Sequence, residues 1–457
     1  MRRVFHGLFV VLLCVGLACG PKAGGGDDGN GDGPDAGYQG ETATIRGVVW
    51  APGNAPGMVP AGHEIPIYDA LVYLSIQQPA PIPQQTYCEE CVSAPGGSFT
   101  DHRGQFTLSG VVPNTYWLVI QKGQFRIEQQ IIVGTGEIEL DASQTTLPSI
   151  HDPLAGQWVP RIALASGIYD DLEDILGKME VGEVDSSGRF AGASAAGNFD
   201  VYSNGGAIDS VAIGSLTDLV SDLNKMLQYH IIFIPCGSTA NQQALMNQQN
   251  LMNIHDYVAA GGKLYVTDWS GEWADNVFPE QVTLYDGGFG GFGTTDTPAS
   301  AWDQATMTWD TAQFGDADGS PSYTSDSAEA VDTDLFAWLD GQSGPRATSG
   351  EGVYNASDFD ITGNWNHIEA LTSVQVGVDQ EGFPVDDIPK AYIIGDDGLG
   401  GGKKPLTVTY EPTGCGRVLY STYHTTEGTH TGLVPQERVL LYLIMEIGVC
   451  KEGPVVD

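Results

Sequence analysis

The chain has 457 residues, with 19 Lys and Arg against 58 Asp and Glu, and a formal net charge of −39 at pH 7. So acidic a surface repels phosphate backbones and anionic lipid headgroups, which argues against nucleic acid as a partner. The length accommodates a tether and two domains, and no apolar stretch after the amino terminus is long enough to span a bilayer.

The amino terminus has the pattern of a removable export signal. Met1–Arg3 is basic, Val4–Ala18 carries no Asp, Glu, Lys or Arg, and the small Ala18 precedes Cys19. This apolar run is shorter than the roughly 20 residues that cross a bilayer. Residues 1–18 are therefore predicted to be a cleaved signal peptide.

Gly16-Leu17-Ala18-Cys19 resembles the lipobox of bacterial lipoproteins, although Gly16 stands where that box usually has Leu. The resemblance implies that Cys19 carries lipid and anchors the protein in the cell envelope; a secretion signal with an incidental Cys is the alternative. Gly20, rather than Asp, implies the outer membrane of a Gram-negative bacterium. Residues 19–42, rich in Gly and Asp, are predicted to form a disordered linker.

Short strands are predicted throughout residues 43–150. Between Gly and Pro breaks, β-branched and aromatic residues are concentrated in Ala43–Trp50, Ala70–Ile76, Gly104–Ser109, Tyr116–Gln121 and Gln129–Val133. No helical pattern interrupts them, so this region is predicted to be a small β-sandwich.

Thr100–Leu108 followed by Val111–Tyr116 resembles the carboxypeptidase regulatory-like, transthyretin-like family. In that family an Asp-x-x-Gly turn precedes a Phe-x-Leu strand, and a Pro-Gly turn precedes a Tyr. Asn114 replaces the second Gly, which is tolerable because Asn accepts a positive φ. The insertion Gln77–Gly97 departs from the family pattern. The resemblance implies an accessory or adhesive module with a carbohydrate-binding-like fold.

Strands and helices alternate over residues 158–452. The predicted strands are Arg161–Ala165, Phe199–Tyr202, His230–Pro235, Lys263–Asp268 and Gly416–Tyr423. The predicted helices are Asp170–Leu176, Leu216–Leu227, Gln242–Ala260 and Pro435–Ile447. This order predicts a parallel sheet covered on both faces, interrupted by a large insertion at about residues 280–400.

Three segments, Tyr229–Gly237, Tyr257–Asp268 and Gly416–Glu427, resemble the class I glutamine amidotransferase-like superfamily, which has a flavodoxin-like fold. In the superfamily a catalytic Cys follows the second segment, and the third carries a catalytic His and Glu. Here Asp268 occupies the Cys position, and Val266 stands where the turn needs a small residue. The resemblance therefore implies a degenerate domain that has lost amidotransferase chemistry.

Polar residues at the predicted strand ends form the candidate site: Cys236, Asp268, His424 and Glu427. Ligands of open α/β sheets bind at this edge, so the favoured hypothesis is a non-catalytic site for a carbohydrate, peptide or protein. One alternative is an envelope hydrolase in which His424 activates Cys236 as a nucleophile. Another is a metal ion bound by His424, Glu427 and His430. A purely structural pairing of His424 with Glu427 is the simplest interpretation.

Disulfides are expected because the protein is predicted to be exported. Cys88 and Cys91 are close enough in sequence to pair. Cys415 precedes a predicted strand and Cys450 follows the antiparallel helix after it, so these two would meet at one edge. Cys236 is then left as a free thiol.

The insertion contributes aromatic and acidic residues. Its Trp residues are Trp302, Trp309, Trp338 and Trp365. Exposed, they would suit sugar stacking, with Ca²⁺ held by Asp316, Asp318 and Asp326. The favoured interpretation is a second small core over the sheet. No other cofactor is predicted.

Overall fold

The computed structural model describes residues 40–89, 94–191, 199–237, 244–245, 247–284, 302–303, 308–309, 323–342, 356–378, 383–398, 400–425 and 430–446. The predicted signal peptide, the predicted lipidation site Cys19 and nearly all of the predicted linker lie outside these residues, as do Cys91, Glu427 and Cys450. Glu41–Asp457 belong to one compact unit. No described helix combines the length and apolar character needed to cross a membrane.

The described strands are β1 Ala43–Val48, β2 Leu71–Ser75, β3 Ser98–Phe99, β4 Gln105–Val111, β5 Asn114–Lys122, β6 Phe125–Val133, β7 Gly136–Glu139, β8 Gln157–Trp158, β9 Ile162–Ala165, β10 Phe199–Ser203, β11 Gly214–Ser215, β12 Ile231–Ile234, β13 Lys263–Thr267, β14 Val282–Leu284, β15 Trp302–Asp303, β16 Thr308–Trp309, β17 Tyr323–Ala330, β18 Phe359–Asn364, β19 Ile368–Leu371, β20 Val374–Val378, β21 Pro384–Asp387, β22 Lys390–Asp396, β23 Lys403–Tyr410 and β24 Arg417–Ser421. The described helices are α1 Ala142–Thr145, α2 Leu172–Lys178, α3 Leu216–Val220, α4 Leu223–Met226, α5 Gln248–Ala259, α6 Glu272–Asp275, α7 Thr333–Gly341 and α8 Pro435–Glu446.

Strands β1 to β8 form two sheets. One has the strand order β4-β1-β7 and the other the order β3-β2-β5-β6-β8. Side chains from both, including Ile45, Phe106 and Ile120, are buried in one hydrophobic cluster. Every strand predicted here is present with slightly shifted ends, and two sheets over a shared core are compatible with the predicted β-sandwich.

The turn before β4 explains the Asp-x-x-Gly pattern. The Asp101 carboxylate accepts backbone hydrogen bonds from Arg103 at 2.8 Å and Gln105 at 2.9 Å. Gly104 has a φ of +72°, and a Cβ there would lie 2.7 Å from the Val49 carbonyl oxygen. A glycine is required at this position, because any side chain would strain the turn and meet β-sheet backbone.

A ten-stranded sheet has the order β11-β10-β9-β12-β13-β24-β23-β22-β17-β18. The first six strands are parallel, as predicted, and the next four are antiparallel. The prediction of a parallel sheet was therefore incomplete. Three of the added strands come from the insertion, and β23 follows it. β23 pairs with the side of β24 that would otherwise expose unpaired backbone groups, and the other three strands extend the sheet beyond it.

Both faces of the parallel part are covered. Along β13, Leu264 and Val266 are buried in one hydrophobic cluster, and the intervening Tyr265 is buried in the other. Alternating side chains thus enter two separate cores, which explains why the predicted strands are continuously apolar.

The predicted helix Leu216–Leu227 is wrong as a single element. The Ser215 side chain caps α3 by accepting from the Asp218 backbone N–H, and α3 ends at Val220. The Asp222 side chain then accepts from the Asn224 backbone N–H and begins α4. Asp222 lies in a periodic apolar pattern, but its capping hydrogen bond starts a new helix there.

One disulfide joins Cys88 to Cys415, with 5.5 Å between their Cα atoms. The predicted pairs Cys88–Cys91 and Cys415–Cys450 are therefore wrong. Cys88 lies in the loop that follows β2, and this part of the loop packs at the amino-terminal edge of the parallel sheet, where the Tyr87 carbonyl meets Gly261. That packing brings together two cysteines 327 positions apart in sequence. Cys236 is a free and buried thiol, as predicted.

The same loop is attached to the sheet by buried polar contacts. The Thr86 hydroxyl donates to the Tyr229 carbonyl at 2.6 Å, and the Thr86 backbone N–H donates to the Leu227 carbonyl at 2.8 Å. Lys263 forms an ion pair with Glu89 at 3.6 Å, both side chains being at least nine-tenths buried. The insertion Gln77–Gly97, which had no counterpart in the resemblance, thus connects the β-strand region to the α/β region.

His230 is predicted to make stability depend on pH. Its Nδ1 accepts from the Arg161 backbone N–H and its Nε2–H donates to the Pro83 carbonyl, each at 2.8 Å. Burial lowers the pKa of His230 from 6.5 to about 4. The folded state therefore binds fewer protons than the unfolded chain between these values, so stability falls as the pH drops through this window.

The matched variant is His230→Gln, whose amide can donate and accept but does not titrate. Between pH 7.5 and 4.5 the native protein should lose about 2–3 kcal/mol more unfolding free energy than this variant. Urea unfolding at each pH measures the difference. If the unfolding free energy changes with pH in the same way in both proteins, His230 does not cause the pH dependence.

Candidate functional site

The candidate site lies where the chain reverses direction across the parallel sheet. β9 is flanked by β10 and β12, so the connection after β9 leads to one side of it and the connection after β11 leads to the other side. Beyond the carboxyl ends of β9 and β12, the Ile168 backbone N–H donates to the Cys236 carbonyl at 3.1 Å. Such a switch point is where open α/β sheets bind ligands.

Asp268 follows β13 with a φ of +48° and is fully buried. Its Oδ1 accepts from the Trp365 backbone N–H at 2.9 Å, while its Oδ2 has no hydrogen-bond partner among the described residues. Desolvation raises the pKa of Asp268 well above its ordinary value. The strained backbone at the predicted nucleophile position is thus present, but it carries a carboxyl group that favours the protonated form.

His424 lies beside this carboxyl group. Its Nδ1 is 2.8 Å from the Thr425 carbonyl oxygen and so carries the proton, which leaves Nε2 facing Asp268 Oδ2 at 3.8 Å. Gly363, with a φ of +72°, packs against the ring, and a Cβ there would lie 2.6 Å from the His424 Cε1. The imidazole is therefore held in one orientation between two strand ends.

Cys236 completes the predicted group. It is buried, and the pKa of its thiol is raised well above the ordinary value by desolvation and by the nearby Asp268 carboxyl. A thiol that resists ionisation is a poor nucleophile. The structure thus brings Cys236, Asp268 and His424 together, and the burial of Cys236 and Asp268 favours the neutral forms of those two side chains.

Asp170 connects these strand ends through a buried hydrogen-bond network. Its carboxylate accepts from the Thr267 hydroxyl at 2.5 Å, and from the Thr425 backbone N–H at 3.0 Å and hydroxyl at 2.8 Å. The Thr267 Oγ1 in turn accepts from the Cys236 backbone N–H at 2.9 Å. From the sequence, Asp170 was predicted only to begin a helix. The residues around it in the sequence do not indicate that its hydrogen-bond partners lie in β13 and in the segment after β24.

An aromatic cavity of about 120 Å³ opens above Cys236. It is lined by Tyr169, Trp269 and Trp365 as well as Cys236. The Trp269 ring lies 5.9 Å from that of Tyr169 and 5.4 Å from that of Trp365, centroid to centroid. Tyr169 is 54% exposed, so the cavity can be reached from solvent. We call the space lined by these four residues the aromatic cavity. Tyr169 and Trp269 were not predicted from the sequence as site residues.

The predicted metal ligands do not converge among the described residues. His430 Nε2 lies 2.8 Å from Glu437 Oε1, and Glu437 also pairs with Lys178 at 3.2 Å. No cluster of three or more His, Cys, Asp or Glu side chains with metal-binding geometry occurs in the described part of the chain. Glu427 lies outside it. His430 therefore contacts Glu437 of α8, which also pairs with Lys178, and the described residues do not place it in a site with His424.

The residues of the insertion have different environments. Trp338 is 1% exposed and donates from Nε1 to the Pro66 carbonyl at 2.8 Å. It is a core residue, but it belongs to the large hydrophobic cluster that also contains Ile45 and Phe106, not to a separate small core. Trp365 lines the aromatic cavity. Asp326 is exposed on β17. Asp316, Asp318 and the side chains of Trp302 and Trp309 lie outside the described residues.

A larger groove, of about 370 Å³, lies in the β-strand region near Met58 and Ile150. None of its lining side chains is ionisable, and none belongs to the strand ends described above. Since specific sites combine apolar walls with convergent polar groups, the carboxyl edge of the parallel sheet is the better candidate.

Comparison with known proteins gives structural similarity only. No protein-family model matches the chain, and no curated protein matches it. A putative ThuA-like protein from Parabacteroides merdae is 13% identical over 63% of this chain and 88% of its own, with a TM-score of 0.29. A cytoplasmic protein from Salmonella typhimurium is 11% identical over 63% of this chain and 99% of its own, with a TM-score of 0.30. A cohesin–X-dockerin complex from Acetivibrio cellulolyticus matches at 20% identity over 29% of this chain and 70% of that chain, with a TM-score of 0.17.

Proposed function

We propose that the protein is a non-catalytic carbohydrate-binding protein, attached to the bacterial envelope by lipid on Cys19. The observation that carries the proposal is the aromatic cavity at the carboxyl edge of the parallel sheet. Aromatic faces bind the apolar C–H faces of sugar rings, while neighbouring polar groups can satisfy the hydroxyls. Tyr169 and Trp269 are oriented edge to face, with 85° between their ring planes, and so form two walls of a cleft.

Binding without turnover is supported by the protonation of the buried residues. Burial raises the pKa of Cys236 and of Asp268 well above their ordinary values, which disfavours ionisation of both side chains. An ionised thiol is the form required for nucleophilic attack. Both groups are therefore better suited to forming the floor of a binding site.

The proposal predicts that Trp269→Ala weakens carbohydrate binding by at least about tenfold, because it removes a central aromatic wall. Calorimetry with cello-, xylo-, malto- and chito-oligosaccharides would measure the change. Tyr169→Ala removes a more exposed wall and should also weaken binding, even if the Trp269 variant folds poorly.

Phe383→Ala is the matched control, since Phe383 is 65% exposed and does not line the cavity. It should bind like the native protein. Native affinity in both cavity variants would overturn the proposal. Binding only to peptides or proteins would replace carbohydrate as the ligand class.

An envelope hydrolase is the second candidate, favoured by the positive φ of Asp268 and its 3.8 Å approach to His424. A hydrolase should turn over some envelope glycan or peptide and lose that activity in a folded His424→Ala protein. The binding proposal expects no turnover in the native protein or in this variant. Hydrolysis that requires His424 would therefore favour the enzyme.

A further inference from the structure

A second cavity, of about 240 Å³, lies at the carboxyl ends of β10 and β11. Its walls include Asn204 after β10, Leu216 at the start of α3, and Trp273 from α6. None of these residues was identified from the sequence as part of a site. We call this space the Asn204–Trp273 cavity.

Two of the residues that line this cavity each carry a buried donor atom that has no hydrogen-bond partner among the described residues. These atoms are the Asn204 Nδ2 and the Trp273 Nε1, in residues that are 8% and 0% exposed. Leaving a buried polar group unpaired costs about 1–3 kcal/mol, so folded proteins usually satisfy such groups. Both atoms donate hydrogen bonds, so the missing partner is an acceptor.

The charges beside the cavity favour a neutral acceptor. The Asp209 carboxylate accepts from the backbone N–H of Gly205, which lines the cavity, at 3.0 Å. The Asp218 carboxylate accepts from the backbone N–H of Ser215, another lining residue, at 3.1 Å. Two acidic groups this close disfavour an anionic ligand and leave hydroxyl, ether or amide oxygens as the acceptors.

Two chain segments connect this cavity to the aromatic cavity. Trp269 lies in a one-turn 3-10 helix, Asp268–Gly271, and Trp273 lies in α6, which follows it directly. Tyr169 lines the aromatic cavity, and the side chain of the adjacent Ile168 lies 3.1 Å from a Cβ built on Gly205 in the second cavity. Ile168 and Tyr169 are 38% and 54% exposed, so the surface between the cavities is accessible and apolar.

We propose that the Asn204–Trp273 cavity is a second subsite of the same binding site, and that the ligand is a neutral oligosaccharide of at least two rings. This inference rests on the proposed carbohydrate function. One ring stacks in the aromatic cavity, and oxygens of a neighbouring ring accept hydrogen bonds from Asn204 Nδ2 and Trp273 Nε1. The two donors, which have no hydrogen-bond partner in the described part of the chain, are then satisfied by the ligand.

The test compares Trp273→Phe and Asn204→Ala with Trp269→Ala, using monosaccharides and tetrasaccharides of the cello, xylo, malto and chito series. In calorimetry, the native protein should bind the preferred tetrasaccharide at least about tenfold more tightly than its monosaccharide. Trp273→Phe removes one donor while retaining an aromatic ring. Each second-cavity variant should weaken tetrasaccharide binding roughly threefold to tenfold and leave monosaccharide binding unchanged.

Circular dichroism and thermal unfolding establish that each variant is folded, and Asn204→Ala provides an independent test if Trp273→Phe is not. If Trp269→Ala loses binding while both second-cavity variants match the native protein, the second subsite is overturned and the proposed function stands. If only the second-cavity variants lose binding, the aromatic cavity is not the primary site. Equal affinity for monosaccharide and tetrasaccharide excludes an extended ligand, and no saccharide binding at all overturns both proposals.

Discussion

Replacing both Cys88 and Cys415 by Ala is expected to lower the free energy of unfolding by about 2–5 kcal/mol. The disulfide joins residues 327 positions apart, so it removes a large amount of chain entropy from the unfolded state. It also holds the end of the loop that contains Thr86 and Glu89 against the sheet. Without it, this loop should open before the rest of the protein unfolds.

Urea unfolding with and without dithiothreitol measures this contribution. The native protein should lose stability on reduction, whereas the double variant should be insensitive to the reductant. Cys236→Ala removes a thiol but retains the disulfide, so its stability should still fall on reduction. This control separates the effect of the disulfide from the effect of removing a cysteine. Non-reducing peptide mass spectrometry should detect Cys88 linked to Cys415. A Cys88–Cys91 linkage would refute the observed pairing.

Asp268→Asn is expected to stabilise the protein at neutral pH. Because the pKa of Asp268 is raised in the folded state, the folded protein holds a proton that the unfolded chain loses above about pH 4. The stability contributed by the protonated form is therefore lost as the pH rises from the unfolded pKa towards the folded pKa. Each pH unit between these two values costs about 1.4 kcal/mol, and Asn avoids this cost because it does not ionise.

The Asn side chain preserves the local geometry. Its Oδ1 can accept from the Trp365 backbone N–H as Asp268 does, and Asn tolerates the φ of +48°. Urea unfolding at pH 3 should give similar stabilities for the two proteins, and the variant should become increasingly favoured as the pH rises above about 4. Asp268→Ala is the control, since it also removes a buried acceptor and should destabilise at every pH. A variant less stable than the native protein at pH 7 would contradict the assigned protonation.

The same variant distinguishes the two candidate functions. A binding site that uses Asp268 in its neutral form should keep its affinity when Asn replaces it. A hydrolase that uses the ionised carboxylate should lose turnover. The affinity and the turnover of Asp268→Asn can be measured in parallel on one preparation.

Local patterns in the sequence were sufficient to predict ten of the 24 described strands, including the central strands of the parallel sheet, and several helices. β9, β12 and β13 are short apolar runs bounded by breakers, and their side chains are buried on both faces, so composition alone indicates them. The Asp101–Gly104 turn was predictable because its hydrogen bonds are local. Cys236, Asp268 and His424 were identified because parallel strands place their carboxyl ends at one edge.

Other features depend on contacts between distant segments, for which one sequence contains no local signal. The predicted helix Leu216–Leu227 is interrupted at Asp222, because the Asp222 side chain caps a new helix there although the apolar pattern continues through it. The antiparallel extension of the sheet, the Cys88–Cys415 pair and the aromatic cavity all join segments far apart in the chain. The sequence by itself determined the strand pattern and the strand-end polar residues, because short-range periodicity and chain direction fix both. Only the tertiary structure decided which cysteines pair, which side chains are desolvated and which tryptophans line a cavity, because these depend on how distant segments pack.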